Sequence, residues 1–340
     1  NVVIADPVLL TAGTTDSEYN GFDISCNGDS DGYIEVTAAG GTGDYTFTLG
    51  GTSTEVQTQP GTVYRFNSLI AGAYTVDVVD ANACSITQIN ITLTEPTAIT
   101  AAGSVTNLKN GSAVSCNGDS DGEITAVGSN GSGGYTYVLN EDLLNTSGNA
   151  AGVYTGLSAG SYTVTITDSN GCDATTTTIT VTDPAAVGST ASKTDIVCNG
   201  DTDGTVTGVG TGGTGTLAYD LEDGVGTPIA NTTGDVTGAY TGLGAGTYRV
   251  RVTDDNACTT VSSNVVIADP VLLTAGTTDS EYNGFDISCN GDSDGYIEVT
   301  AAGGTGAYTF TLGGTSAEVQ TQPGTVYRFN NLVAGAYTVC

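Results

Sequence analysis

Residues 1–77 recur as residues 264–340 with five differences: Asp44 against Ala307, Thr54 against Ala317, Ser68 against Asn331, Ile70 against Val333 and Asp77 against Cys340. A near-copy at an offset of 263 residues is what an array produces when length or multivalency is its purpose. A single catalytic domain has no use for it. The chain therefore has to be built from a unit that folds several times over.

A shorter period lies inside the long one. The motif Cys-Asn-Gly-Asp-(Ser/Thr)-Asp-Gly starts at Cys26, Cys116, Cys198 and Cys289, and an acidic residue precedes proline at Asp6-Pro7, Glu95-Pro96, Asp183-Pro184 and Asp269-Pro270, at intervals of 86 to 89 residues. These markers divide the chain into residues 1–6, the last strand of a preceding repeat; 7–95, repeat 1; 96–183, repeat 2; 184–269, repeat 3; and 270–340, repeat 4, incomplete and a near-copy of 7–77. A unit of this size holds one small core, and short strands between frequent glycine turns suit a sandwich of about seven strands. The expected fold class is all-β, a tandem array of Ig-like antiparallel β-sandwich domains.

The strands can be placed within repeat 1. Val8 to Thr14 opens the unit. Tyr33 to Thr37 alternates, with Ile34 and Val36 on one face. Gly40-Gly41-Thr42-Gly43 turns the chain into Tyr45, Phe47 and Leu49; Val63 to Phe66 follows, then Ala71-Gly72 leads into Tyr74, Val76 and Val78. Asp80-Ala81-Asn82-Ala83 forms the last hairpin before Ile89, Ile91 and Leu93. Period-two alternation throughout gives each strand one buried face, as antiparallel sandwiches require. No window carries apolar residues at helical spacing without a glycine or β-branched interruption.

Net charge is −31, from 37 acidic residues against Arg65, Lys109, Lys193, Arg249, Arg251 and Arg328. That balance repels nucleic acid and anionic membrane surfaces, and no stretch is long and apolar enough for a membrane span. Nucleic acid and membrane insertion are therefore excluded as partners. The sequence also shows no basic-then-apolar start, so it reads as an interior stretch of an exported protein.

The run Ser25-Cys26-Asn27-Gly28-Asp29-Ser30-Asp31-Gly32, then Gly40 to Phe47, Ala71-Gly72-Ala73-Tyr74-Thr75-Val76 and Asp80-Ala81-Asn82-Ala83-Cys84, resembles the SprB-type repeat. Repeats 2 and 3 keep the same order through Cys116, Gly133-Gly134-Tyr135-Thr136 and Asp168-Ser169-Asn170-Gly171-Cys172, then Cys198, Gly212 to Gly215 and Asp254 to Cys258. The resemblance implies a very large exported protein of the bacterial cell surface, used for adhesion and surface contact by gliding and related bacteria. Two positions depart from it. Leu217-Ala218-Tyr219 replaces the usual Tyr-Thr in repeat 3, and Cys340 occupies a strand position.

Eight cysteines point to an oxidising compartment, where small domains supplement a modest core with disulfides. Parity favours pairing within each repeat: Cys26–Cys84, Cys116–Cys172 and Cys198–Cys258. Geometry objects, because the first cysteine ends a strand at one pole of a Greek-key sandwich and the second starts a strand at the other. The alternative is a staple across neighbours, Cys26–Cys172 and Cys116–Cys258, with Cys198 bonded to repeat 4, which contains Cys289 and Cys340. Within-repeat pairing is the expectation taken forward.

The Asn-Gly-Asp-x-Asp-Gly loop admits a calcium reading. Asn27, Asp29, Asp31 and Glu35 fall at positions 1, 3, 5 and 9 of an EF-hand-like loop, as do Asn290, Asp292, Asp294 and Glu298. Asn117, Asp119 and Asp121, and Asn199, Asp201 and Asp203, keep the first three positions but have Thr125 and Thr207 at the ninth. Position 12 is Ala38 rather than a glutamate, and the alternative is a polar turn in which Asn and Asp bond their own backbone.

Catalysis finds no foothold in the sequence. With no histidine, Ser–His and Cys–His nucleophile pairs are impossible, and carboxylate pairs are background in so acidic a chain. Gly210-Thr211-Gly212-Gly213-Thr214-Gly215 fits the dinucleotide fingerprint literally but leads into a strand, so no helix N-terminus is offered to a pyrophosphate. Tyr74, Tyr162, Tyr248 and Tyr337 are expected to act as tyrosine corners.

Three functions remain: the shaft of a large surface adhesin or fibre, a subunit of a self-assembling extracellular filament, and a carbohydrate-binding module. The corresponding partners are neighbouring repeats, other copies of the chain, and surface glycans.

Overall fold

The structure, a computed structural model, describes residues 2–340. Every regular element among them is a β-strand. The chain divides into two compact units, Asn1–Pro184 and Ala185–Cys340, and each contains two separate hydrophobic cores.

Repeat 1 shows how a unit is assembled. Its strands are β1 (Thr11–Asp16), β2 (Gly32–Ala39), β3 (Tyr45–Gly51), β4 (Glu55–Gln59), β5 (Val63–Leu69), β6 (Gly72–Val79) and β7 (Ile89–Leu93). They form two antiparallel sheets, ordered β1-β2-β5 and β4-β3-β6-β7. Alternation decides which face closes: Ile34, Val36 and Ala38 of β2 point inward, as do Tyr45, Phe47 and Leu49 of β3 and Tyr74, Val76 and Val78 of β6. Phe47 and Phe66 are fully enclosed between the sheets, each contributing on the order of 1.5–3 kcal/mol of burial.

Three local expectations are corrected. The opening strand starts at Thr11 rather than Val8, because its partner β2 stops at Ala39 and the chain then turns through Gly40. Gly40 sits at φ +77°, and a Cβ there would lie 2.1 Å from the Leu9 carbonyl oxygen, so only glycine lets the linker pass this closely. β4 is additional to the strands read from sequence; its residues alternate too weakly to stand out, Val56 being 63% exposed. Residues 2–6, expected as a strand, form no ladder; Asn1 lies outside the described residues. Their counterparts Val265–Ile267 are a strand only because Gly246–Tyr248 of repeat 3 supply its partner.

The other repeats keep the plan. In repeat 2, Thr100–Thr106, Gly122–Ser129 and Val153–Leu157 make one sheet, and Thr136–Leu139, Val164–Thr167 and Asp173–Thr175 face it, with Gly160–Tyr162 pairing Ile179–Val181. Repeat 3 sets Gly188–Thr194, Gly204–Thr211 and Ala239–Leu243 against Ala218–Asp223, Gly246–Thr253, Thr259–Val261 and Val265–Ile267. Repeat 4 pairs Thr274–Asp279, Gly295–Ala302 and Val326–Leu332, and separately Glu318–Gln322, Tyr308–Gly314 and Tyr337–Val339. Cys340 takes the ladder position of Asp77, exchanging backbone hydrogen bonds with Thr311.

Four tyrosines lock the same corner in each unit. The hydroxyl of Tyr74 donates to the Ile70 carbonyl at 2.9 Å, Tyr162 to Ser158 at 2.9 Å, Tyr248 to Gly244 at 3.0 Å and Tyr337 to Val333 at 2.9 Å. This is the tyrosine corner read from the sequence.

Candidate functional site: the junction between repeats

Each of the first three repeats presents a tight knuckle built on one buried aspartate. Asp80, Asp168 and Asp254 are each 5% exposed. One oxygen of Asp168 accepts the N–H groups of Asn170 and Cys172, both at 3.0 Å, and the other accepts that of Ser132 at 2.9 Å. Asp80 does the same for Asn82, Cys84 and Thr42, and Asp254 for Asn256, Cys258 and Thr214. Burial alone would raise these carboxyl groups, yet the converging N–H donors hold all three below the ordinary 3.8. The hairpin is thereby fixed with its asparagine and cysteine pointing outward.

In the first unit the knuckle of repeat 2 enters a socket on repeat 1. Tyr19-Asn20-Gly21-Phe22 forms a two-residue turn, with Asn20 at φ 49° and Gly21 at φ 90°, the left-handed pair that Asn-Gly adopts most readily. The Asn170 side-chain amide donates to the Ser25 carbonyl at 2.9 Å and to the Tyr19 carbonyl at 3.3 Å. Asn20 answers by donating to the Ser169 hydroxyl at 3.2 Å and to the Asn170 side-chain oxygen. Beside them Cys26 is bonded to Cys172, with Cα atoms 5.7 Å apart.

This pairing corrects the within-repeat expectation. Cys172 is committed to Cys26, so neither Cys26–Cys84 nor Cys116–Cys172 forms. Cys84, Cys198, Cys289 and Cys340 are exposed thiols, so Cys198–Cys258 is absent as well. The physical reason is that the knuckle of repeat 2 carries Cys172 to Cys26, while Cys84 stays an exposed thiol.

The Cys-Asn-Gly-Asp loops hold the boundary prolines. Asn27 donates its side-chain amide to the Pro96 carbonyl at 3.1 Å, Asn117 to Pro184 at 3.0 Å and Asn199 to Pro270 at 2.8 Å. The next residue completes the grip. The N–H of Gly28 donates to Glu95 at 2.7 Å, that of Gly118 to Asp183 at 3.2 Å and that of Gly200 to Asp269 at 3.1 Å. The two sequence markers, some 65 to 71 residues apart, are thus two halves of one clamp on the outgoing linker. Sequence reading recorded both and did not join them.

The aspartates of these loops serve the turn itself. Asp31 accepts the Ser25 N–H at 3.2 Å, Asp121 that of Ser115 at 2.9 Å, Asp203 that of Val197 at 3.1 Å and Asp294 that of Ser288 at 3.2 Å. Asp29, Asp119 and Asp292 accept serine hydroxyls of the same loops at 3.5, 2.8 and 3.2 Å. Glu35 and Glu298, the ninth-position acids, are ion-paired at 2.8 Å with Arg65 and Arg328, which also lie over Tyr33 and Tyr296. Among the described residues no group of three or more His, Cys, Asp or Glu side chains converges as a metal ion would need. In repeat 1, Asp29 and Asp31 thus bond within the turn and Asn27 within the clamp.

The four arginines pair across strands. Arg249 and Arg251 flank Glu222, which is 1% exposed, at 2.8 and 2.6 Å. Gly210 and Thr211 end the strand Gly204–Thr211, and Gly212, Gly213 and Gly215 turn at positive φ into the strand Ala218–Asp223. The glycine run is therefore an inter-strand turn.

The family model of the SprB repeat matches residues 22–54, 112–142 and 285–315, in repeats 1, 2 and 4. Repeat 3, where Leu217 replaces the tyrosine whose hydroxyl in repeat 1 donates to the Gly40 carbonyl at 2.7 Å, lies outside the matched residues. No curated protein matches the chain. Among solved structures, a tetra-tandem repeat from the extending region of a large adhesion protein is similar at 15% identity, covering 97% of this chain and 98% of that one, with a TM-score of 0.29. Immunoglobulin domains 1–5 of Sidekick-1 are similar at 11% identity over 87% of this chain and 82% of that one, with a TM-score of 0.25. A 282-residue C-terminal fragment of intimin, solved with the intimin-binding domain of its translocated receptor, is similar at 19% identity over 54% and 67%, with a TM-score of 0.28.

Proposed function

Because this chain carries SprB repeats, we propose that it is a non-catalytic segment of the shaft of a bacterial surface adhesin, working outside the cell. The observation that carries the reading is the bond between Cys26 and Cys172, which ties two neighbouring repeats across 146 residues of sequence. Such a bond suits a load-bearing element. Tension entering repeat 1 passes from Cys26 directly to Cys172, so everything between them is spared. Asn170 and Asn20 seat the bond, and the clamp of Asn27 and Gly28 on Glu95-Pro96 fixes the linker beside it. The disulfide fits an oxidising exterior, and the charge of −31 favours solubility.

Single-molecule stretching tests this reading. Under oxidising conditions the stapled residues contribute no extension. Reduction is expected to release additional contour length, of which this bond accounts for up to roughly 500 Å, at about 3.6 Å for each of the 146 residues of separation. Equal contour lengths with and without reductant would remove the load-bearing role.

A further inference from the structure

Asn-Gly is the dipeptide most prone to spontaneous deamidation, because glycine has no side chain to shield its nitrogen from the asparagine Cγ. In this chain it stands at two kinds of place near the junctions. Asn20-Gly21 forms the hairpin of the socket, while Asn27-Gly28, Asn117-Gly118 and Asn199-Gly200 form the linker clamps. Crowding does not separate the two kinds. All four asparagines are exposed, and a Cβ added at Gly21, Gly28, Gly118 or Gly200 would meet nothing within 4 Å.

The glycine N–H does separate them. That of Gly28 donates to the Glu95 carboxylate at 2.7 Å, that of Gly118 to Asp183 at 3.2 Å and that of Gly200 to Asp269 at 3.1 Å. The Gly21 N–H, in a turn where this glycine lies at φ 90°, meets no acceptor among the described residues. This nitrogen is the nucleophile of deamidation, and it has to lose its proton before it attacks. In a clamp the lone pair left behind would point at the carboxylate and not at Cγ. The negative charge of that carboxylate also opposes the anion that proton loss creates. The side chain is held as well, since the Asn27 amide donates to Glu95 at 3.0 Å and to Pro96 at 3.1 Å.

We propose that Asn20 is the deamidation site of the junction, and that the carboxylate before each boundary proline guards the clamp asparagine beside it. The reaction balances with water alone. The Gly21 nitrogen bonds to the Asn20 Cγ, the bond from Cγ to Nδ2 breaks, and ammonia leaves with the displaced proton. Water then opens the cyclic imide to a carboxylate, and the chain runs on through either the α- or the β-carbonyl. The new oxygens face the Ser169 hydroxyl and the Asn170 side-chain oxygen, the two groups to which the Asn20 amide donates before reaction. A donor has become an acceptor opposite an acceptor, and the β-linked product also lengthens a two-residue turn. The socket loosens with age while the linker clamps endure.

This chemistry needs no load on the chain, so it stands or falls apart from the shaft reading. Incubation of the oxidised 340-residue chain in warm, mildly alkaline heavy-oxygen water, followed by peptide mapping, measures every site at once. Asn20 is expected to take up label at least about tenfold faster than Asn27, Asn117 and Asn199, the factor that one hydrogen bond to a charged acceptor supplies. Glu95→Ala should raise the rate at Asn27 by the same factor and leave Asn117 slow, and Asp183→Ala should do the converse. Asp183 is exposed and belongs to no core, so its variant keeps the fold even where Glu95→Ala does not. In strong denaturant the four sites should label at similar rates. Asn20→Asp, the α-linked product, should lose its Cys26–Cys172 bond to reductant several-fold faster than wild type. Equal rates at Asn20 and the clamp sites of the folded chain overturn the proposal, as does a difference that survives denaturation. Guarding is overturned by clamp rates that Glu95→Ala and Asp183→Ala leave unchanged, and loosening by a bond that Asn20→Asp leaves equally resistant.

Discussion

The side-chain amide of Asn170 donates to the carbonyl of Ser25 at 2.9 Å, one residue from the Cys26–Cys172 bond. A hydrogen bond of this kind contributes about 0.5–1.5 kcal/mol, too little to hold two domains but enough to bring two sulfurs into register. The covalent bond then does the holding.

Removing that bond is the first prediction. Cys26→Ser is expected to destabilise the first unit by about 2–5 kcal/mol, because the open chain regains loop entropy. Denaturant melts of wild type, with and without reductant, should bracket the variant. The second unit does not contain the bond and is expected to melt unchanged. A variant indistinguishable from oxidised wild type would mean the bond is not formed in solution.

Linker clamping is the second. Asn117→Ala removes the donor to Pro184 and is expected to cost about 0.5–1.5 kcal/mol and to speed proteolysis near Asp183-Pro184. Calcium, by contrast, is expected to change melting no more than another divalent salt at equal ionic strength, because the loop aspartates accept backbone and hydroxyl donors and Glu35 is paired with Arg65. A calcium-specific rise that Asp31→Asn abolishes would show that the loops bind the ion.

Much of the fold is legible in the residues because each unit writes its inward face at every second position. Ile34 and Val36, Tyr45 to Leu49, and Tyr74 to Val78 declare their strands without any partner being known. β4 escapes because its side chains lie half in water, where pairing and not burial decides. The disulfide partner of Cys26 stood between two candidates in the sequence, Cys84 and Cys172, and parity favoured the wrong one. Parity counts cysteines within a repeat, while the deciding quantity is which pole each one occupies, and that follows from three-dimensional strand order. Asn20-Gly21 was the available signal: a hairpin dipeptide just before the cysteine, repeated at Asn110-Gly111 and Asn283-Gly284, marks a structured surface rather than a tether.

The tyrosine corners give the third prediction. Tyr74→Phe keeps the buried ring and loses one hydrogen bond to the Ile70 carbonyl, so a loss of about 0.5–1.5 kcal/mol is expected. Tyr74→Ala adds a cavity and should cost about 3–5 kcal/mol. A Tyr74→Phe variant as stable as the wild type would show that the hydroxyl contributes nothing.

Acid sensitivity is the fourth. Burial works to raise Asp80, Asp168 and Asp254, but the N–H donors of each knuckle outweigh it and hold the folded-state carboxyl below 3.8. A depressed pKa means the folded state releases its proton more readily than the unfolded chain. The knuckles therefore contribute their full stability above pH 3.8, and that contribution is lost as pH falls through the lower folded values. Asp168→Asn replaces an acceptor of several N–H groups with an amide that presents its own donors, so it is expected to weaken the first unit at neutral pH. The difference between wild type and Asp168→Asn should then shrink as pH is lowered below 3.8, since the wild-type carboxyl is itself being neutralised. Urea melts of both proteins from neutral to acid pH measure that difference directly. A gap that stays constant across the range would show that the knuckle holds its shape without the charge.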